Sequence, residues 1–397
     1  MAAPKLRFKE FDGDWTFKNL SDVSSKPLYG MNSAATDFDG ENKYLRITDI
    51  DEESHRFKFT KLSSPSDVIE EKYILQEGDL LFARTGASVG KSYIYDPDDG
   101  KVVFAGFLIK FGLKESVIPY FIFTQTLSEK FNNWVITNSM RSGQPGINAE
   151  EYSKWQIAFT SKPEQTKIAS FLSAVDEKIS QLTQKHELLS QYKQGMMQKL
   201  FSQQIRFKAD DGSEFGEWEE KKLGEISKTF SGGTPQSSNK SFYEGTIPFI
   251  KSGEISKNTT EQCINDLALE KSSAKLVKKG DLLYASYGAT SGQVAISQID
   301  GAINQAVLCI RSELNTKYLL NFLLLKKEEI LTTYLQGGQG NLSASILKEI
   351  YIPTPCLKEQ TKIANFLSAI DQKIEVVAQQ IEQAKQWKKG LLQQMFV

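Results

Sequence analysis

Cysteine, histidine and long apolar runs are all scarce in this 397-residue chain, and each scarcity removes a class of function. The three cysteines, Cys263, Cys309 and Cys356, are odd in number, far apart and without a C-x-x-C spacing. That argues against a disulfide framework or a zinc ribbon and fits a reduced, cytoplasmic setting. The only histidines are His55 and His186, too few for a Ser-His-Asp set or a metal cluster. No apolar run reaches the roughly 18 residues of a membrane span. The segment Met1 to Phe11 is polar and has no signal-peptide core. A basic surplus is missing too: Lys and Arg total 48 against 49 Asp and Glu. Residues 1–160 carry 19 basic and 23 acidic side chains, and residues 204–355 carry 17 and 18. The segments 161–203 and 356–397 each carry 6 and 4. A domain that grips nucleic acid alone is usually basic, so a nucleic-acid reader of this composition needs local patches or partner proteins.

What the chain has instead is a repeat. Glu164 to Ile179 reads EQTKIASFLSAVDEKI, and Glu359 to Ile374 reads EQTKIANFLSAIDQKI. The match runs without a gap to Phe201 and Phe396, with about half the positions identical. Internal repeats decide architecture before local motifs do. Upstream the likeness is weaker but ordered. Gly78 to Ala83 matches Gly280 to Ala285, each followed by a glycine-bearing loop, Gly86 to Gly90 and Gly288 to Gly292. Tyr44 to Ile50 resembles Phe249 to Ile255, Ser142-Gly143-Gln144 stands opposite Gly337-Gly338-Gln339, and the lead-in FDGDW ending at Trp15 matches FGEW ending at Trp218. The order is globular region, helix, globular region, helix. The helices are near duplicates; the globular regions have diverged.

In the first helix apolar residues fall at Ile168, Leu172, Val175, Ile179, Leu182, Leu189, Met196 and Leu200, and in the second at Ile363, Leu367, Ile370, Ile374, Val377, Ile381, Ala384, Leu391 and Met395. The alternating four-three spacing is a coiled-coil seam, and Phe171 and Phe366 add a second apolar row beside it. A helix of roughly 38 residues is about 57 Å long. Pro163 suits a first turn, and Ser161 with Glu164 is placed to form a capping box. Gly195 and Gly390 stand at matched places late in the helices. A helical glycine costs about 1 kcal/mol against alanine, which predicts another backbone packed close to each. Antiparallel pairing would relate the two repeats by a pseudo-two-fold axis.

The globular regions hold short runs such as Val102-Val103-Phe104 and Val294-Ala295-Ile296 between turn-forming clusters, with helical spacing over Tyr120 to Trp134 and Lys317 to Leu335. That predicts an α+β fold with a sheet-rich body. Polar, glycine-bearing loops recur at matched places, and their Arg, Lys, Gln, Asn and Ser side chains are of the kind that read base edges. Thr85 to Ser92, TGASVGKS, imitates a phosphate loop, but only three residues separate Gly86 and Gly90 and Gln293 replaces Lys91 in the repeat. Gly337 to Gly340 lacks a strand–helix dinucleotide context. No Asn-Pro-Pro-aromatic loop of an adenine methyltransferase is present.

These doubled EQTKIA helix starts, the GGTP loop at Gly232 to Pro235, the segment IPFIKSGEI from Ile247 to Ile255 and the two GDLL segments resemble the specificity subunit of type I restriction-modification enzymes, over essentially the whole chain. The resemblance implies two target-recognition domains, 1–160 and 204–355, each reading half of a split DNA site. Two helices, 161–203 and 356–397, would form an antiparallel coiled-coil spacer that docks two modification subunits. It implies no chemistry in this chain: the modification subunits would bring S-adenosylmethionine and methylate adenine, and restriction/translocase subunits would bring ATP, Mg2+ and cleavage. The DNA contacts it implies are Arg46, Thr48, Arg84, Thr85, Ser88, Lys91, Arg141, Ser142 and Gln144 in the first domain. In the second they are Ser231, Thr234, Gln236, Lys251, Ser252, Ser286, Tyr287, Thr290, Gln339 and Asn341. Its helix-pair or subunit interface is Ile168, Phe171, Leu172, Val175, Ile179 and Gly195 with Ile363, Phe366, Leu367, Ile370, Ile374 and Gly390. The first region has no GGTP and offers Lys26 to Gly30, KPLYG, near that place. A scaffold that organises proteins without reading DNA, and a self-sufficient nuclease or methylase, are the competing readings.

Overall fold

The structure, a computed structural model, describes residues 4–140, 143–334 and 342–396. The expected contacts Arg141, Ser142, Gln339 and Asn341 lie outside the described residues. Two long helices, Lys162–Phe201 and Leu357–Met395, are the largest elements. The chain divides into two compact units, and both boundaries fall inside these helices: Met1–Thr183 with Gln379–Val397, and Gln184–Ala378. The first long helix therefore starts in unit 1 and ends in unit 2, and the second does the reverse. They run in opposite senses through both units.

Each unit repeats one plan. In unit 1 a four-stranded antiparallel sheet has the order Leu28–Tyr29, Leu108–Gly112, Asp79–Ala83, Ser92–Ile94. In unit 2 the same order is Ser227–Ser231, Val307–Ser312, Leu282–Ala285, Val294–Ile296. A parallel pair flanks each: Lys43–Leu45 with Val102–Phe104, and Ile247–Ile250 with Gly301–Ile303. A two-stranded ribbon leads into each long helix: Thr16–Asn19 with Gln156–Phe159, and Glu219–Lys222 with Tyr351–Thr354. The expected single helices are each split, into Pro119–Gln125 and Glu129–Ser139 and into Thr316–Leu325 and Lys327–Tyr334. In unit 1 Thr126 Oγ1 and Ser128 Oγ donate to the carbonyls of Phe123 and Gln125, and Ser128 then accepts from Phe131 N–H to cap the next helix. Side-chain bonds of this kind compete with continued helix.

The helix starts do more than form a seam. Ile168, Leu172 and Val175 are buried in one core with Trp15, Phe121 and Ile157 of their unit and with Leu391, Leu392 and Met395 from the end of the other helix. In unit 2, Ile363, Leu367 and Ile370 join Tyr318, Phe322 and Ile352, with Met197, Leu200 and Phe201 from the first helix's end. Ile179, Ile374 and Met196 are only half-buried, and Met197 takes the buried place that the spacing assigned to Met196. The helix segments in a unit are also tied by charge: Lys388 pairs with Asp176 at 2.6 Å in unit 1, and Lys193 with Asp371 at 2.7 Å in unit 2. Asp371 is the repeat mate of Asp176, and Lys388 of Lys193. The two ion pairs are thus one interaction made twice.

The glutamate of EQTKIA explains why the helix starts stayed alike. Arg7 donates from Nε and Nη2 to both oxygens of Glu164, at 2.7 and 2.8 Å, while Trp15 Nε1 donates to Oε1 at 3.2 Å. In unit 2 Arg206 donates to Glu359 at 3.0 and 2.8 Å, and Trp218 Nε1 at 2.9 Å. Each arginine also donates to a loop carbonyl, Gly13 or Gly216. The next residue is equally engaged: Gln165 accepts from Ile118 N–H and donates to the Thr160 carbonyl, and Gln360 does the same with Asn315 and Pro355. The expected capping box at Ser161 is replaced, because Thr160 Oγ1, Arg7 and Trp15 occupy the Glu164 carboxylate. Burial pushes the Glu164 carboxyl up, but the bonds from Arg7, Thr160 and Trp15 together outweigh it and hold it below the ordinary value.

The glycines overturn one expectation. A Cβ on Gly195 or Gly390 would meet nothing within 4 Å, so among the described residues no other backbone packs against either.

Removing one partner of a buried ion pair costs about 3–5 kcal/mol, less where the other partner reaches solvent, as Arg7 and Arg206 partly do. Glu164→Gln and Glu359→Gln should each lower stability by about 2 kcal/mol or more, read as a lowered denaturation midpoint. The lowered Glu164 carboxyl contributes stability that is present above its unfolded value and is lost as pH falls through the folded one. Wild type should therefore lose stability below the ordinary 4.5 faster than Glu164→Gln. Parallel pH profiles would contradict the assignment.

Candidate nucleic-acid interface

The recurring loops gather at one edge of each four-stranded sheet. In unit 1, Arg84 N–H donates to the Phe107 carbonyl at 3.1 Å, Ile147 N–H to the Arg84 carbonyl at 2.9 Å, and Gly86 N–H to Pro145 at 3.0 Å. In unit 2, Ser286 N–H donates to Ala306 at 2.8 Å and Leu342 N–H to Ser286 at 2.9 Å. The same backbone frame therefore holds both sets, and Arg84 and Ser286 occupy one position in it. Gly30 N–H binds the Leu108 carbonyl and Gly106 N–H that of Met31, which brings in the strand end at Tyr29.

Strand register also settles the missing GGTP. Tyr29 stands opposite Ile109, and Ser231 opposite Leu308, in corresponding strands. Gly30 therefore corresponds to Gly232. Both lie against a strand carbonyl: an added Cβ would sit 2.2 Å from the oxygen of Ala105, or 1.8 Å from that of Ile303. The glycine is required by this close approach, and the KPLYG segment supplies it without the rest of the motif.

The glycine loops after GDLL are hairpin connections. Ala83 N–H donates to Lys91 and Gly90 N–H back to Ala83; Ala285 and Gly292 make the same pair with Gln293 and Ala285. Each joins two antiparallel strands, so no helix N-terminus faces the loop, as phosphate binding of the P-loop kind needs. Lys91 is buried, and its ammonium donates to the Ile50 carbonyl at 3.2 Å and pairs with Glu52. It anchors the turn after Leu45, so it drops out of the expected DNA contacts.

That turn is built alike in both units. Arg46 N–H is capped by Asp49 at 2.9 Å, and Lys251 N–H by Glu254 at 3.2 Å. Arg46 also donates to the Asp49 carboxylate through Nε and Nη2, at 2.8 and 2.9 Å, which orients its side chain. Thr48 is exposed beside it, and Ser252 is half-buried. Around Arg84, Thr85 and Ser88 are half-buried and Gln144 is exposed, its Nε2 3.1 Å from where a Gly86 Cβ would be. In unit 2, Thr234 Oγ1 donates to Gln305 Oε1 and Tyr287 OH to the Gln305 carbonyl, both at 2.5 Å. Ser231 and Gln236 are exposed, Thr290 is half-buried, and Ser286 is buried.

Three residues of these edges were missed. The central carbon of the Arg84 guanidinium lies over the Tyr29 ring at 5.1 Å and over the Phe107 ring at 5.7 Å. Phe107 is 59% exposed and Tyr29 39%; an aromatic after Ala105-Gly106 was the available signal. Gln305 is the third, exposed where INQAV of unit 2 aligns with the AGF of unit 1. Among the described residues Arg84 Nε is buried without a hydrogen-bond partner, a loss of about 1–3 kcal/mol for an unmade bond. Among the described residues no group of His, Cys, Asp and Glu is arranged to hold a metal, and no helix is long and apolar enough to cross a membrane.

A family model described as type I restriction modification DNA specificity domain matches the chain twice, over residues 12–191 and 216–386. Each match takes in one globular region and most of the helix that follows it. The putative type I restriction enzyme MjaX specificity subunit of Methanocaldococcus jannaschii is 28% identical, over 98% of this chain and 94% of its own length. The MjaVIII specificity subunit of the same organism is 26% identical over 97% and 94%. A solved S subunit of a type I restriction-modification system from M. genitalium has the same fold, with a TM-score of 0.62 at 16% identity, covering 100% of this chain and 99% of that one.

Gly30→Ala and Gly232→Ala should each destabilise the chain by about 1–3 kcal/mol or more, the usual cost of forcing atoms into a packed site. Gly143→Ala, whose Cβ meets nothing within 4 Å among the described residues, should be neutral. Thermal unfolding of the three variants checks this; equal midpoints would refute the close approach.

Proposed function

The chain belongs to the type I restriction-modification DNA specificity family, and we propose that each of its units reads one half of a split DNA site through the loop edge described above. It is a sequence-specific recognition subunit without catalysis of its own, and it works in a complex with other subunits and DNA. The observation that carries the two-half reading is one loop frame presenting different side chains: Tyr29, Arg84 and Phe107 in one unit, Ser231, Ser286 and Ala306 in the other, with Gln305 beside them in place of Gly106. A shared frame sets a shared way of approaching the duplex; divergent side chains at its tip specify different bases.

The finer assignment concerns partners. Two modification subunits dock on the long helices and bring S-adenosylmethionine for adenine methylation. Restriction/translocase subunits bring ATP and Mg2+ for cleavage. The complex works in the cytoplasm, where its DNA is. The helices set the gap between the half-sites. Two matched surfaces on them support docking of two copies of one partner. In unit 1, Phe8 packs edge-on to Phe171 at 5.7 Å and Phe171 to Trp387 at 6.0 Å, with Gly390 three residues further along. In unit 2, Phe207 packs on Phe366 at 5.6 Å, and Tyr192 and Gly195 occupy the places of Trp387 and Gly390. Tyr192 and Trp387 are 52% and 54% exposed. A bare helix surface beside an exposed aromatic lets a partner approach closely, which gives both glycines a reason that the isolated chain does not.

Replacing residues 204–355 by the corresponding region of another family member should change one half of the methylated site and leave the other half intact. An unchanged site would overturn the recognition reading and favour a scaffold. Gly195→Leu and Gly390→Leu should leave the free chain as stable or up to about 1 kcal/mol more stable, from helix propensity alone. Both should weaken assembly with modification subunits, measured by sedimentation. Undiminished assembly would remove the glycines from the docking surface.

A further inference from the structure

Resting on the reading of each unit as a half-site reader, we infer that Arg84 specifies a guanine in the half-site of unit 1, its planar fork held against the rings of Tyr29 and Phe107. Four other arginines have their guanidinium committed to a carboxylate: Arg7 to Glu164, Arg46 to Asp49, Arg206 to Glu359 and Arg311 to Asp281. Arg84 has no carboxylate partner and no hydrogen bond to its guanidinium among the described residues. It is held by rings instead, at 5.1 Å from Tyr29 and 5.7 Å from Phe107.

The holder is itself fixed. Tyr29 Oη accepts a hydrogen bond from Ala149 N–H at 3.1 Å, and the Arg84 backbone is clamped on both sides, by the Phe107 carbonyl and by Ile147 N–H. Stacking on aromatic faces leaves the outer edge of a guanidinium free while fixing its plane. The two acceptors on the major-groove edge of guanine, O6 and N7, match that edge; this pairing is the commonest specific arginine contact. A residue held this firmly before binding loses little freedom on contact.

A phosphate would also attract a free guanidinium. The repeat argues for the base. Every duplex has the same backbone, so a phosphate contact serves both units equally and would be kept in both copies of the frame. The matching position in unit 2 is Ser286, buried and without charge, and the rings are replaced too: Ser231 stands where Tyr29 does. Divergence at the tip of a shared frame is where base choice is expected.

The test uses the chain assembled with its modification subunits, and selects bound sequences from a randomised duplex pool. The wild-type consensus should hold a guanine in the half lost when unit 1 is exchanged. Arg84→Ala should lower discrimination at that base roughly 10- to 100-fold, leaving the other half-site unchanged. Arg84→Lys, which keeps the charge and fold but not the fork, should relax the same base while total binding falls far less. Tyr29→Ala should act in the same direction. Two results would overturn the inference: a half-site without guanine, or a uniform loss of affinity across all sequences with a shallower salt dependence, which marks a phosphate contact. Unchanged selection by Arg84→Ala would do so as well. If the wild-type complex selects no consensus at all, the half-site reading itself fails, and that outcome is distinct from the other three.

Discussion

A carboxylate at the start of each long helix ties that helix to a lead-in segment far away in sequence. Glu164 takes Arg7 and Trp15 from the lead-in segment, 157 and 149 residues away, and Glu359 takes Arg206 and Trp218. Neighbouring Gln165 and Gln360 bind the backbone that precedes a domain helix and the backbone that precedes the long helix. The angle at which the domain meets the helix is thereby set by fork-shaped, two-bond contacts, which are directional as well as strong. Apolar packing alone, at Ile168, Leu172 and Val175 or at Ile363, Leu367 and Ile370, would tolerate sliding by a turn. The polar junction does not. Holding the loops of a unit in register with the helix start of that unit depends on it.

The same interaction explains the pattern of divergence between the copies. Helix starts remained alike because they serve the domain core, the opposite helix and the polar junction at once. A change at Glu164 would leave Arg7 half-buried without its partner, a larger loss than a missing surface contact. Side chains at the loop tips take no part in the junction or in the packing of the helix starts and could drift. Ser286 and Arg84 share backbone partners yet share no chemistry. The structural constraint therefore predicts where sequence can vary, and the variation falls where DNA would be read.

Parts of this were legible from residues alone. The repeat disclosed two copies of one plan, and the four-three spacing disclosed the long helices, because both signals are local or exactly offset. The junction was not legible, since nothing near Arg7 or Trp15 names a partner across about 150 residues, and Glu164 offered a nearer explanation as a cap. Lys91 follows a recurring glycine-bearing loop, which suggested a DNA contact; its burial depends on Ile50 and Glu52 arriving from another strand connection. Gly195 and Gly390 suggest internal packing by helix propensity, whereas among the described residues nothing lies beside them. The Tyr29, Arg84 and Phe107 cluster was half visible: the arginine stood in a recurring loop, but the rings come from a strand end and from another loop.

The near-neutral charge acquires a sharper meaning from the side-chain partners. Several of the cations counted in the sequence are already engaged: Arg7, Arg46, Arg206 and Arg311 on carboxylates, Lys193 and Lys388 between helices, and Lys91 in the interior. The charge left to displace counterions from a duplex is smaller than 48 basic residues imply. Phosphate neutralisation supplies most of the affinity of proteins that bind DNA alone, whereas a stacked, unpaired arginine supplies discrimination with little affinity. A chain so built separates the two tasks. It holds the discriminating groups in a rigid frame, and the proposed partner subunits would supply the grip on the backbone.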